Sequence, residues 1–405
     1  MTRRRLPRWS ELAPLLRPRR PALSPTGRRL AGVASISDLR EAAKRRAPRG
    51  VFDYTDGAAA DEVTLRRMRE AWGRVEFRPN VLRDVSAIDT SAELLGARSA
   101  LPLAFAPTGF TRMMHTEGEG AVGRVAGRVG IPYALSTVGT TSIERLREEA
   151  PGTRLWFQLY LWRDRAASRD FVERAAAAGY EAIVLTVDTP LSGPRLRDTR
   201  NGLTIPPTLT VRTFLDGARK LGWWFDLLTT EPLSFASLSY FGGEPAQLVS
   251  KMFDPAATIA DVEWLREVWK GPLVVKGVQK EADAQAVVDA GADAVVISNH
   301  GGRQLDRAGL PLELLPSILE AVGGRAEVYL DGGILSGADV VAAVAMGATG
   351  CLVGRAYLYG LMAGGERGVE KAAELLAGEV RTTMALLGAR SVAELSPEMV
   401  RLRPA

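Results

Sequence analysis

Eight short apolar runs, each of strand length and each set among segments of helical period, constrain this chain more than any other feature. They are Leu101–Ala106, Tyr133–Leu135, Leu155–Tyr160, Ala182–Val187, Leu273–Val275, Ala294–Ile297, Val328–Leu330 and Cys351–Val353. Apolar strands alternating with Ala-rich helices read as βα units, the α/β class, whose parallel sheet is covered on both faces. Eight such units close a (β/α)8 TIM barrel. An internal echo supports the count: Gly179, Gly291 and Gly347 each end an Ala-rich stretch and stand at one fixed spacing before Thr186, Ser298 and Gly354. Glycine just past a helix end supplies the left-handed residue that other side chains resist. A doubly wound open sheet is the rival architecture.

The rest of the chain is arranged unevenly around the barrel. Residues 1–36 form an Arg/Pro-rich arm, expected to be extended, with nine arginines against the lone acid Glu11 among residues 1–30. The formal charge of the whole chain is only +5, so the remainder is net negative and the body does not read as a nucleic-acid binder. Residues 37–100 read as an N-terminal helical cap, opening on a helix to Arg46 with Ser35 or Ser37 as its N-cap. The barrel takes residues 101–390 and a tail takes 391–405. Residues 188–272, after the fourth run, exceed an ordinary loop: Ile259–Trp269 is the helix due before the fifth strand, and 197–254 is an insertion containing Trp223, Trp224, Phe225 and Tyr240. That insertion reads as a lid or interaction surface, or equally as a self-packed loop. No apolar run has the length of a membrane-spanning helix, no secretory signal precedes the body, and the single Cys351 cannot close an intramolecular disulfide. A reducing, cytoplasmic setting is therefore expected.

In such a barrel the chemistry lies at the carboxyl ends of the strands. The runs end in Pro107-Thr108-Gly109, Ser136-Thr137, Gln158 with Tyr160, Thr186 with Asp188, Lys276, Ser298-Asn299-His300, Asp331-Gly332-Gly333 and Gly354-Arg355. The last two endings offer bare backbone N–H groups and one guanidinium, which suits a phosphate. Lys276, Gln158, Ser136, Thr186 and Thr108 supply an ammonium, an amide and hydroxyls that suit the edge of a flat heteroaromatic ring. The same lysine equally suits a Schiff base, so this group leaves two chemistries open.

His300 stands with Asp188, Arg303, Arg195, Tyr160 and Tyr54. An imidazole is the natural general base at neutral pH, and a carboxylate beside it orients it and stabilises its cation. Two arginines grip a carboxylate while tyrosine hydroxyls hold an adjacent oxygen. The chain has only two histidines, so a His-rich metal site is excluded and no metal is expected. His115, in Met114-His115-Thr116-Glu117-Gly118-Glu119, takes the structural reading, with Thr116 and Glu119 as a capping box.

The string Ser298-Asn299-His300-Gly301-Gly302-Arg303-Gln304-Leu305-Asp306 resembles the signature of the FMN-dependent α-hydroxy-acid dehydrogenases and oxidases, which include glycolate oxidase, L-lactate dehydrogenase and mandelate dehydrogenase. It is joined by Tyr54-Thr55-Asp56-Gly57-Ala58, Ala106-Pro107-Thr108-Gly109, Phe157-Gln158-Leu159-Tyr160, Leu185-Thr186-Val187-Asp188-Thr189-Pro190, Lys276-Gly277 and Val353-Gly354-Arg355. The resemblance runs from about Ile36 to Pro397 and is nearest the actinobacterial L-lactate dehydrogenase-like branch. It implies FMN held by Pro107, Thr108, Gly109, Ser136, Gln158, Thr186, Lys276, Ser298, Asp331, Gly332, Gly333, Gly354 and Arg355. It further implies His300 as the base that takes a proton from an L-2-hydroxy acid, most simply L-lactate, while two electrons enter the flavin at N5. Proton abstraction at the α-carbon and hydride transfer both remain open. Asp188 would stabilise the imidazolium, Arg303 and Arg195 the carboxylate, Tyr54 and Tyr160 the oxygen at C2, and Lys276 the reduced flavin.

One departure stands out. Members of the family often carry an arginine two residues after Asp-Gly-Gly, where this chain has Leu335. Arg355 and backbone N–H groups would then carry the phosphate, and weaker FMN retention is expected. Gly109, where oxidases often have alanine, points to a dehydrogenase that passes electrons to quinone or another carrier rather than to O2. Val138, just past Ser136, leaves room for a substrate side chain. The basic arm and the Trp-rich insertion suit peripheral contact with the inner face of a membrane, or the arm wraps a neighbouring subunit of a homo-oligomer, a tetramer. The competing classes are another phosphate-binding barrel, such as a type 2 isopentenyl diphosphate isomerase or an aldolase, and a non-catalytic interaction protein.

Overall fold

Eight parallel strands close into a barrel in the computed structural model, which describes residues 5–13, 24–203, 220–234, 236–237 and 253–404. They are β1 (Leu103–Phe105), β2 (Tyr133–Ser136), β3 (Leu155–Leu159), β4 (Ala182–Thr186), β5 (Leu273–Val278), β6 (Ala294–Ile297), β7 (Glu327–Leu330) and β8 (Gly350–Val353). The order is sequential, β8 pairing with β1 through Cys351 and Leu103, so the open-sheet alternative is set aside. Inward positions carry small residues, Ala104, Ala134, Ala182, Val184, Ala294 and Val296, which leave space for the rings of Trp156 and Tyr329. Those two rings meet edge to face at 6.1 Å and fill the interior, so the barrel is a packed core and not a pore.

The amino-terminal end of the barrel is closed by a hairpin, Ala92–Leu94 with Ala97–Ser99. Its Leu94 is fully buried in the interior cluster, and the Arg154 guanidinium holds the carbonyls of Leu94 and Ala97 at 2.8 and 3.0 Å. Only the carboxyl end is left for a site. The repeated glycines behave as expected: Gly179, Gly291 and Gly347 have φ of 71°, 97° and 110°, just past the helices Arg165–Ala177, Glu281–Asp289 and Gly337–Ala345.

The N-terminal cap is carried to the open rim by three helices, Ile36–Arg46, Arg49–Asp56 and Val63–Trp72. Ser35 caps the first, its Oγ accepting from Asp38 N–H at 3.2 Å. The third begins where Asp306 accepts from the N–H groups of Val63 and Thr64, at 3.2 and 2.8 Å. Asp306 closes the nine-residue signature, so that string also fastens the cap to the barrel.

Two expectations need correction, in the arm and at Thr116. Part of the arm is helical rather than extended: Pro25 sits at a first helical position, Ser24 Oγ accepts from Gly27 N–H at 2.9 Å, and Pro25–Leu30 packs on the helix Arg355–Gly364. Trp9–Leu12 is a further short helix. The C-terminal tail reaches the cap, where Val400–Leu402 pairs antiparallel with Val75–Phe77. No capping box forms at Thr116 and Glu119: the Glu119 carboxylate is buried and accepts from Thr140 N–H at 2.6 Å and from the Thr140 and Thr141 hydroxyls. The insertion after β4 contains the helices Leu196–Asn201 and Leu221–Leu228, and Ile259–Val268 follows as expected; Tyr240 lies outside the described residues. Trp223 is buried, donating from Nε1 to the Met113 carbonyl at 3.1 Å, whereas Leu221, Phe225 and Leu228 are exposed.

Candidate active site

A cavity of about 920 Å³ opens at the carboxyl ends of the strands. Its wall includes Tyr54 from the cap, Pro107, Thr108 and Gly109 after β1, Ser136 from β2, Tyr160 after β3 and Arg195 after β4. Lys276, His300, Arg303, Asp331, Gly332, Gly333, Gly354 and Arg355 complete the set from β5 to β8. Four expected residues sit one contact behind that wall. Gln158 accepts from Ser136 Oγ at 2.9 Å, Ser298 accepts from Lys276 Nζ at 2.9 Å, Asp188 touches His300, and Thr186 pairs with Lys276 across the strands.

Local backbone explains how His300 is aimed. It has φ of 57°, a left-handed conformation that a side chain rarely adopts, within a single turn of 3-10 helix that precedes Arg303. Its N–H donates to Ser298 Oγ at 3.0 Å, and its Nδ1 lies 3.0 Å from Asp188 Oδ1. The Asp188 side chain is buried. Burial alone would raise its pKa, but the charges of His300 and Lys276 and the hydrogen bond from His300 hold it below the ordinary carboxylate value. Gly277 keeps the space Asp188 needs: its φ is 111°, and a β-carbon there would stand 2.8 Å from the aspartate side chain.

Lys276 is buried, and its Nζ lies 3.1 Å from Asp331 Oδ2. Burial pulls its pKa down, yet Asp331 and Asp188 more than offset this and the pKa is raised. A Schiff-base nucleophile needs the free amine, which the ion pair with Asp331 disfavours.

The two arginines enclose Tyr54. The guanidinium carbons of Arg303 and Arg195 stand 4.9 and 5.4 Å from its ring centroid. Arg303 Nη1 donates to the Tyr54 carbonyl. Burial, then the charge of Arg195, lowers the Arg303 pKa to about 10, which still leaves it cationic at neutral pH. Tyr160 is buried against Phe253, ring centroids 5.2 Å apart; burial and the Asp188 charge push its phenol pKa up, so it stays a donor. Arg355 donates to the carbonyls of Thr55 and Gly57 at 3.0 and 2.8 Å.

Two residues outside the expected set matter. Asp198 accepts from Arg195 Nε at 2.9 Å; burial raises its pKa although Arg195 and Arg303 oppose this. Its spacing of three from Arg195, the residue just before the helix Leu196–Asn201, was the available signal. Gln304 donates to the carbonyls of Asp188 and Leu191 and accepts from Gly193 N–H at 3.0 Å, joining the loops after β4 and β6. His115 does not line the cavity. Burial, then Arg46 and Arg29, lower its pKa to about 3, so it is neutral at physiological pH.

A family model described as FMN-dependent dehydrogenase matches residues 43–402. The chain belongs to the FMN-dependent dehydrogenase family. A putative L-lactate dehydrogenase of Mycobacterium tuberculosis is 53% identical over 397 residues, covering 98% of this chain and 96% of that protein. An L-lactate dehydrogenase of Caulobacter vibrioides is 43% identical over 378 residues, 92% of this chain and 98% of the relative. Among solved structures, the monotopic membrane protein (S)-mandelate dehydrogenase superposes with a TM-score of 0.88 at 35% identity, over 92% of this chain and 100% of that one. Mandelate oxidase does so with a TM-score of 0.79 at 40% identity, over 92% and 98%.

This family member is therefore an oxidoreductase whose cofactor is FMN, and its cavity fits that group. Gln158 Nε2, Thr186 Oγ1 and Asp331 Oδ1 are buried without a protein partner. Leaving such groups unpaired costs about 1–3 kcal/mol each, a cost removed by a ligand carrying donors and acceptors on its edge and side chain. Gly332 and Gly333, with φ of 93° and 75°, leave bare backbone at the end where a phosphate is expected. Gly354 stands at the N-terminus of the helix Arg355–Gly364 at that same end.

Proposed function

We propose that the chain oxidises an L-2-hydroxy acid, L-lactate foremost, to the 2-oxo acid. Bound FMN would supply the two-electron oxidant, taking the α-hydrogen together with the electron pair of the Cα–H bond. His300 takes the proton from the substrate hydroxyl through Nε2, because Nδ1 is engaged by Asp188. Asp188, kept ionised, steadies the imidazolium that results. Arg303 and Arg195 bind the carboxylate, and the hydroxyls of Tyr54 and Tyr160 hold the oxygen at C2. Lys276 keeps a positive charge where the cofactor becomes electron-rich. The observation that carries this reading is the His300–Asp188 contact opening on the cavity that Arg303 and Tyr54 share.

Val138, Leu203 and Phe253 also line the cavity, an apolar wall with room for a side chain beyond a methyl group. That wall, together with the mandelate enzymes among the solved relatives, favours aromatic 2-hydroxy acids as a second reading. Anaerobic mixing of the yellow protein with a panel of L- and D-2-hydroxy acids, mandelate included, separates the two. Bleaching by L-lactate supports the first reading and bleaching by mandelate alone the second; a flavin that stays oxidised with every acid rejects both.

For the onward electrons, a quinone or another membrane-associated carrier is the proposed acceptor, with O2 as the alternative. Three features support peripheral membrane contact. Leu221, Phe225 and Leu228 present one exposed apolar face, Lys220 adjoins it, and a solved relative is described as monotopic. No helix among the described residues is long and apolar enough to cross a membrane.

A further inference from the structure

Phosphate carries close to two negative charges at neutral pH, and a site that holds it firmly usually offers more than one cation. Leu335 brings none, and Arg355 already spends two of its nitrogens on the carbonyls of Thr55 and Gly57. The cap helix Val63–Trp72 lies across the same end of the cavity. Arg69 and Trp72, three residues apart and so on one helix face, donate to the carbonyls of Gly333 and Gly332 respectively, the indole at 3.0 Å. The approach is close: a β-carbon on Gly333 would stand 2.9 Å from Trp72 Nε1, and one on Gly332 would stand 3.0 Å from the Met68 sulfur.

These two bonds also orient the turn. A trans peptide points its carbonyl and the following N–H in opposite directions. With the carbonyls of Gly332 and Gly333 held by the cap, the N–H groups of Gly333 and Ile334 point away from those donors, and both residues line the cavity. Among the described residues no group accepts from either. Arg69 itself lines the cavity and is exposed. Its ion-pair partner Asp339, at 3.1 Å, is occupied in capping its own helix, accepting from Leu335 and Ser336 N–H at 2.9 and 3.1 Å.

We infer that Arg69, delivered from the N-terminal cap, is the second phosphate-binding cation of this FMN site, in place of the arginine absent at position 335. The cap is thus part of the cofactor site as well as of the substrate site. The expectation of weak retention drawn from Leu335 alone leaves this residue out.

The test follows FMN release from the holoenzyme by the rise in flavin fluorescence on dilution, and compares FMN with riboflavin after flavin exchange. Arg69→Gln should release FMN about tenfold faster or more, the equivalent of one lost charged contact. Riboflavin, which has no phosphate, should bind as it does to wild type. Arg69→Lys should keep most of the affinity, and Leu335→Arg added to Arg69→Gln should restore it. The inference is overturned if Arg69→Gln releases FMN at the wild-type rate, or if FMN and riboflavin affinities fall together, which would mark Arg69 as a fastening of the fold. Should Arg69→Gln not fold, the same comparison in Arg69→Lys decides: loss of riboflavin along with FMN again overturns it.

Discussion

The Nδ1 atom of His300 lies 3.0 Å from Oδ1 of Asp188, and the two residues reach each other from loops after β6 and β4. Gln304 binds both loops through the Asp188 and Leu191 carbonyls, so the contact is fixed by backbone as well as by side chains. His300→Ala should keep its flavin yet reduce it at least about 100-fold more slowly with substrate, the usual worth of a general base. Stopped-flow absorbance measures this directly, and a rate within threefold or so of wild type would remove His300 from its role.

The depressed pKa of Asp188 makes a prediction about acid. A carboxyl group whose folded pKa lies below its unfolded value stabilises the fold above the unfolded value, about 3.9 for aspartate, and loses that contribution as pH falls through the folded pKa. The stability difference between wild type and Asp188→Asn, read from urea unfolding, should shift against wild type as pH falls below about 4. Lys276 works at the other end of the scale: its raised pKa gives stability that is complete below the unfolded value and lost as pH rises through the folded one. A pH-independent difference across the acid range would contradict the assignment for Asp188.

Gly109 and Val138 should behave as a coupled pair. A β-carbon at Gly109 would stand 2.6 Å from Val138 Cγ2, closer than real side chains approach. Gly109→Ala alone should destabilise the protein by about 1–3 kcal/mol, the range for an overpacked contact. Gly109→Ala with Val138→Ala should recover most of that loss, and an additive double mutant in thermal unfolding would show that the two positions do not press on each other.

The exposed face of Leu221–Leu228 is a separate prediction about location. Replacing Leu221, Phe225 and Leu228 by serine should reduce co-sedimentation with vesicles rich in anionic lipid several-fold while leaving flavin content and its reduction by substrate intact. Equal sedimentation of variant and wild type would end the membrane proposal without touching the chemistry.

What could be read beforehand follows the range of the interactions involved. The eight strands were visible because each is locally apolar, and the residues closing them followed from chain direction alone; edges moved by a few residues, as with Lys276–Val278, which continue β5 past a bulge. Leu94 as the barrel floor was not visible, since its partners Trp156 and Tyr329 lie far along the chain. The same holds for the pairing of Val75–Phe77 with Val400–Leu402 and for the buried Glu119, whose threonine partners follow the next strand. Asp198 and Gln304 escaped notice for a related reason: each acts by holding another residue in place, and such a role leaves no mark in residue type.

The pairing of Val75–Phe77 with Val400–Leu402 also bears on how the molecule is assembled. Tyr54 belongs to a cap whose first strand must wait for a partner at the opposite terminus, and whose third helix docks on a glycine turn that follows the seventh barrel strand. Contacts spanning most of a chain are the last to form during synthesis on the ribosome. The cap is therefore complete only once residues 400–402 have been made, and a polypeptide truncated before them would hold its cap to the barrel through the helix contacts alone.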